Sequence, residues 1–127
     1  MKKKRGSSSS SSVAVVVLAI ILSRGEEVKD WDLFLEGIVQ IVEKTSALPV
    51  TVISEGHSMV KRWTKDNNIR HNIMKPKFAT GGIRKPQSDK IVKHSTHMLV
   101  ISKGDKHVRE FIKKMNKANK VCVEIKA

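Results

Sequence analysis

Aromatic residues are scarce: two Trp, three Phe and no Tyr make up 4% of the 127 residues. A surface that grips single strands by stacking bases on rings needs more than this, which argues against a stacking platform. The single cysteine, Cys122, excludes an intrachain disulfide and any cysteine-rich zinc site, and a reducing, cytoplasmic setting is the natural expectation. The five histidines, at 57, 71, 94, 97 and 107, never stand at i, i+4 around a carboxylate, so the metalloprotease pattern is missing. Long apolar runs are missing too: the longest, residues 13–22, is too short to cross a bilayer as a helix, and no membrane partner is expected. At 14.2 kDa the chain is one domain, too small for a kinase or a TIM barrel but long enough for a five-strand sheet with helices. Apolar content of 39% and charged content of 29% fit a globular domain.

Positive charge is abundant and unevenly placed. The net charge of +13 divides into +4 over residues 1–12, −4 over residues 13–56 (three bases, seven acids) and +13 over residues 57–127 (eighteen bases, five acids). A pI near 10 points to a phosphate-bearing partner. The plainer reading is solvation, because 19 of the 25 bases are Lys.

Residues 1–22 begin with Lys2, Lys3, Lys4 and Arg5, continue through six serines and end in VAVVVLAIIL. A basic start before an apolar run resembles a signal peptide. The serines separate charge from apolar core, however, and no small-x-small cleavage site follows. Val or Ile at 13, 15, 16, 17, 20 and 21 reads instead as a strand buried on both faces. Residues 1–12 are then a flexible basic, Ser-rich tail, and 13–127 the domain.

Along the domain, Asp30 is set to cap a helix carrying Trp31, Phe34, Leu35, Ile38, Ile41 and Val42. Val50–Ser54 reads as a strand, and Ser58 as the cap of a helix to Asn67. Ile69–Met74 reads as a weak strand, and residues 75–86 as a long loop. Pro86 suits the first position of a helix ending near His94. His97–Ser102 reads as a strand, followed by a basic helix with Val108, Phe111, Ile112 and Met115 on one face, and Lys120–Ile125 as a last strand. Alternating strands and helices predict an α/β fold: a single Rossmann-like domain whose mostly parallel five-strand sheet carries helices on both faces.

In such sheets ligands sit outside the carboxyl ends of the strands. Ser54-Glu55-Gly56-His57-Ser58 follows a strand there, but one glycine makes neither a P-loop nor a dinucleotide fingerprint, and an ordinary turn explains it equally well. Gly81-Gly82-Ile83-Arg84 is stronger, because its glycines admit close backbone approach and Arg84 can fork onto a phosphate. Arg24, just past the first strand, is either a ligand clamp or a partner of Glu26 or Glu27. Glu55 and His57 are weak candidates for acid–base work. Lys113, Lys114, Lys117 and Lys120 form either a solvated face or a stripe facing nucleic-acid phosphates.

These pieces resemble the YpsA-related branch of the SLOG superfamily, small Rossmann-like proteins common in bacteria and phages. Leu22-Ser23-Arg24 is similar to the family's Gly-Ser-Arg strand end, and Asp30-Trp31-Asp32 to its helix start. Ser54-Glu55-Gly56 with Lys61-Arg62-Trp63 is similar to its Gly-rich turn and following helix, and Gly81-Gly82-Ile83-Arg84-Lys85 to its later loop. The first Gly is Leu22 here, the Gly-rich turn is shortened to Gly56 alone, and the expected Asn is Lys85. The resemblance implies a non-enzymatic module binding a nucleotide or ADP-ribose-like ligand through Arg24, Gly56, Ser58, Gly81, Gly82 and Arg84.

Two alternatives stand beside it. The basic half binds DNA or RNA without sequence preference, through Lys113, Lys114 and Lys117. Alternatively, VTVISEGHSMVKRW and MLVISKGDKHVREF resemble Toprim motifs, with Lys103 where a metal-binding Asp belongs and only Asp105 left. A second copy of the chain is a further candidate partner.

Overall fold

The computed structural model describes residues 15–23, 30–78, 84–85, 87–103 and 106–127. At its centre is β1 (Val17–Leu22), in which Leu18 through Leu22 are at most 1% exposed. It pairs in parallel with β2 (Thr51–Ser54) on one side and β6 (His97–Ser102) on the other. β3 (Arg70–Ile73) extends the sheet beyond β2, and β7 (Val121–Lys126) beyond β6. The order β3-β2-β1-β6-β7 is parallel throughout, a Rossmann-like arrangement whose switch point lies between β1 and β6. The expected strand at 13–22 is thus the central one but begins only at Val17; Val15 and Val16 precede it, and residues 13–14 lie outside the described set.

Side-chain alternation along the strands divides the core in two. Leu18, Ile20, Leu22, Val52, Leu99, Ile101 and Val123 meet α1 (Trp31–Thr45) and α2 (Ser58–Asp66). Ala19, Ile21, Ile53, Met98 and Val100 meet α3 (Ser88–His94) and α4 (Lys106–Lys117) on the opposite face. α1 buries Phe34, Gly37, Ile38 and Ile41, the i, i+3, i+4, i+7 spacing of one helix face. Its Asp30 cap forms as expected, the carboxylate accepting the Leu33 N–H at 3.1 Å. Trp31, Phe34 and Trp63 form a ring cluster, with the Phe34 and Trp63 rings edge-to-face at 6.1 Å and the Arg62 guanidinium 4.6 Å above Trp31.

With only seven glycines in the chain, asparagine closes two helices. Asn68 and Asn119 take φ values of 54° and 58°. Around them Ile69 N–H donates to Thr64 O and Asn68 N–H to Lys65 O; Lys120 N–H donates to Met115 O and Asn119 N–H to Asn116 O. Both are Schellman closures, with Asn in the left-handed position that glycine usually fills.

Three expectations need correction. Ser58 is the first residue of α2 and does not cap it: His57 holds the N-cap position, its carbonyl accepting the Lys61 N–H, and its side chain makes no capping bond to the helix. The 75–86 stretch is not loop throughout; β4 (Lys77–Phe78) and β5 (Arg84–Lys85) pair antiparallel, strands too short to leave an alternation in the sequence. α3 starts at Ser88 behind Gln87, and Pro86 lies outside the described residues.

Gly37 sets how closely α1 approaches the sheet. A Cβ there would stand 2.7 Å from Leu99 Cδ1 and 3.0 Å from Ile125 Cδ1. Gly37→Ala gains about 1 kcal/mol of helix propensity, which the contact with fully buried Leu99 offsets, so its stability stays within about 1 kcal/mol of wild type. Gly37→Leu has no such balance and lowers stability by about 2–3 kcal/mol in denaturant titration; an unchanged midpoint would show that α1 rides freely over the sheet.

Candidate ligand site at the strand ends

Among the described residues, the switch point is bridged by backbone and serine. Ser23, fully buried, donates its N–H to Ile101 O at 3.0 Å, and its Oγ accepts the Lys103 N–H at 2.7 Å. The amide that an anion would seek at the end of β6 is therefore already engaged. Arg24, the expected clamp, lies outside the described residues, as do Gly81 and Gly82; Arg84 is described only as part of β5.

The turn after β2 is also closed internally. Gly56 has φ 106°, a conformation that L side chains rarely adopt, and its N–H donates to Ser54 Oγ at 3.1 Å. Ser54 Oγ in turn lies 2.6 Å from His71 Nε2 on β3. Burial, and then Lys61, hold His71 below the usual imidazole pKa. Gly56, Ser54 and His71 thus form one hydrogen-bonded chain. Glu55 is 8% exposed, His57 is half-buried and Ser58 is exposed. This arrangement ties the turn to the edge strand. The sequence hid it because its two side chains stand 17 residues apart.

Among the described residues, open space lies on the other half of the sheet. A cavity of about 500 Å³ sits beyond the carboxyl ends of β6 and β7, under α4. Its floor is Ser102, Glu124 and Lys126, its roof Arg109, Ile112 and Lys113, and Lys103 stands at its mouth. Period two explains the floor: Val100 and Cys122 face α4, so Ser102, Glu124 and Lys126 do too. The roof follows from Arg109 and Lys113 at i, i+4 on one helix ridge.

The structure sorts the basic residues of this half by what holds them. Lys114 Nζ donates to Asp89 at 2.7 Å and to Ser88 Oγ at 2.9 Å and pairs with Glu110 at 3.2 Å; the Asp89 bond, chiefly, raises its pKa. Lys120 Nζ donates to the carbonyls of Val92, Lys93 and Ser95, closing the end of α3. The two therefore join α3 and α4 and are not part of a free stripe. Lys103, Lys106, Arg109, Lys113, Lys117 and Lys126 are exposed and make no ion pair with any described residue. Lys117 instead lines a second, 260 Å³ hollow beside Asp89 and Val92.

Cys122 supplies no nucleophile: burial, with Glu124 adding to it, pushes its thiol up to about 11. Among the described residues there is no group of three His, Cys, Asp or Glu that could hold a metal ion, and no helix long and apolar enough to cross a membrane. No family model, curated protein or solved structure matches the chain.

His71, on β3 at the opposite edge of the sheet, gives the molecule a pH signature. Its folded pKa is lowered from the unfolded value of about 6.5, so the unfolded chain binds the proton more readily. Stability therefore falls as pH drops through about 6.5 toward the folded value and then levels. His97, lowered by burial, acts in the same direction. Melting curves from pH 8 to 5 should show this decline, and His71→Gln should flatten part of it. An identical slope in the variant would place the titration elsewhere.

Proposed function

We propose that the chain is a binding module for a phosphate-bearing, nucleotide-derived small ligand, held in the cavity at the ends of β6 and β7. The observation that carries this reading is the set of Lys103, Arg109, Lys113 and Lys126 converging on that space without ion-pair partners among the described residues. Like charges at i, i+4, such as Arg109 and Lys113, cost helix stability, and Lys106 stands in the first turn of α4, where the helix dipole disfavours a cation. Stability alone does not favour this arrangement; an anionic ligand compensates it. The volume falls in the range of small-molecule sites. The SLOG resemblance supports the same ligand class and the strand-end location, although its described strand-end residues, Ser23, Ser54 and Gly56, follow β1 and β2. A cytoplasmic setting, where such ligands abound, fits the single reduced cysteine.

Catalysis by Glu55 or His57 is the weaker reading, because both follow β2, two strand spacings or roughly 10 Å from the β6 floor of the cavity. Thermal melting with AMP, ADP-ribose and inorganic pyrophosphate tests the proposal. At 100-fold excess over Kd a ligand adds about 2.7 kcal/mol, a rise of several degrees for a domain of this size. The double variant Arg109→Gln/Lys113→Gln should lose the rise. No shift with any of the three at millimolar concentration removes the reading.

A second reading rests on the ridge itself. Lys106, Arg109, Lys113 and Lys117 follow one another along α4 at intervals of about one turn, a row that can follow a DNA or RNA backbone by phosphate contacts alone. Affinity for a mixed-sequence oligonucleotide should then fall on the order of tenfold or more between 50 and 200 mM salt. Lys113→Glu/Lys117→Glu should abolish it, while Lys44→Glu, on the opposite helix layer, should not. Lys114 is left intact in this test because its replacement would break the α3–α4 ties. Absence of any complex at low salt dismisses the row as solvation.

A further inference from the structure

The cavity holds one feature that phosphate binding does not require. Glu124 is exposed on its floor, yet its carboxylate lies within ion-pairing distance of none of the four surrounding cations. A carboxylate that served only to balance charge would be expected to pair with Lys126, two residues along the same face, or with a roof residue. Glu124 instead keeps both oxygens available as acceptors, beside half-buried Ile112.

Its depth is fixed by the sheet. Lys126 is in register with Ser102 at the strand end and Glu124 with Val100, one pleat further in, about 7 Å deeper. α4 starts at the carboxyl end of β6 and runs back over the sheet, so Arg109 stands nearer the mouth and Lys113 one turn inward. Cations therefore dominate the mouth, through Lys103, Arg109 and Lys126. The carboxylate and the apolar side chain of Ile112 lie behind them.

We propose that Glu124 determines which phosphate ligand the cavity accepts: a ribonucleoside phosphate enters with its phosphate at the mouth, and its ribose diol donates both hydroxyls to the Glu124 carboxylate. This assignment rests on the cavity being the ligand site. The two donors of a vicinal diol match the two acceptor oxygens of a carboxylate, and hydrogen bonds to a charged acceptor are the strong kind. The sugar and base lie along Ile112. A deoxygenated sugar leaves the carboxylate facing the ligand with nothing to accept, and inorganic phosphates do not reach it.

Calorimetric titration of the full chain with AMP, 2′,3′-dideoxy-AMP and inorganic pyrophosphate separates the possibilities. Wild type should prefer AMP over the dideoxy compound by about tenfold, the size expected of charge-assisted hydrogen bonds. Glu124→Ala should bind the two equally, while its pyrophosphate affinity holds or rises because a negative charge has left a cationic site. Glu124→Gln, which keeps one acceptor, should fall between. Melting curves of both variants, at an exposed strand position, confirm that they fold. Equal binding of AMP and dideoxy-AMP by wild type, or equal weakening of all three ligands in Glu124→Ala, overturns the assignment of Glu124 and leaves the cavity standing. Failure of wild type to bind even pyrophosphate overturns the cavity and the assignment together.

Discussion

Everything in this molecule depends on β1 being enclosed. Its residues are buried on both faces and hydrogen-bonded along both edges, so each helix layer and each flanking strand is positioned against it. A strand with no polar side is stable only when two layers cover it. That requirement makes the sheet parallel, sends α1 and α2 to one face and α3 and α4 to the other, and gathers the carboxyl ends of its five strands along one rim. The rim is where chemistry can be placed, because the interior has no room for it.

The rim is not uniform. Over β2 and β1 it is consumed by its own hydrogen bonds: Gly56 to Ser54, Ser54 with His71, and Ser23 with Ile101 and Lys103. Over β6 and β7 it opens into a cavity with charge to spare. The difference arises from the side chains available. Ser23 and Ser54 turn their hydroxyls onto neighbouring backbone N–H groups, whereas exposed Lys103 and Lys126 extend into solvent. Among the described residues, one part of the rim thus serves the fold and the other stays open.

The architecture was legible in the sequence because burial writes itself as β-branched runs and helical spacing. Val17–Leu22, His97–Ser102 and the Phe34–Ile38–Ile41 face all stand where those patterns put them. The two-residue strands β4 and β5 left no pattern to read. The candidate site was less legible, for a different reason. Its walls come from β6, α4 and β7, and Lys113 and Lys114 are indistinguishable neighbours until their geometry separates an open cation from one tied to Asp89 and Glu110. Ser102 and Glu124 become neighbours only through strand register. Arg24, Gly81 and Gly82, ligand candidates by motif, fall outside the described residues, whereas shape and charge single out the ends of β6 and β7.

Lys120 closes two helices at once. Its backbone N–H completes the Schellman turn that ends α4, and its ammonium group covers the last carbonyls of α3. The two C-termini are therefore not independent fraying ends. Opening one removes a partner from the other, and the pair behaves as a single cooperative unit in local unfolding. The roof of the cavity belongs to that unit, because Arg109 and Lys113 ride on α4. The rigidity of the cavity wall is in this way anchored at the far end of the helix, by a residue that never faces the cavity.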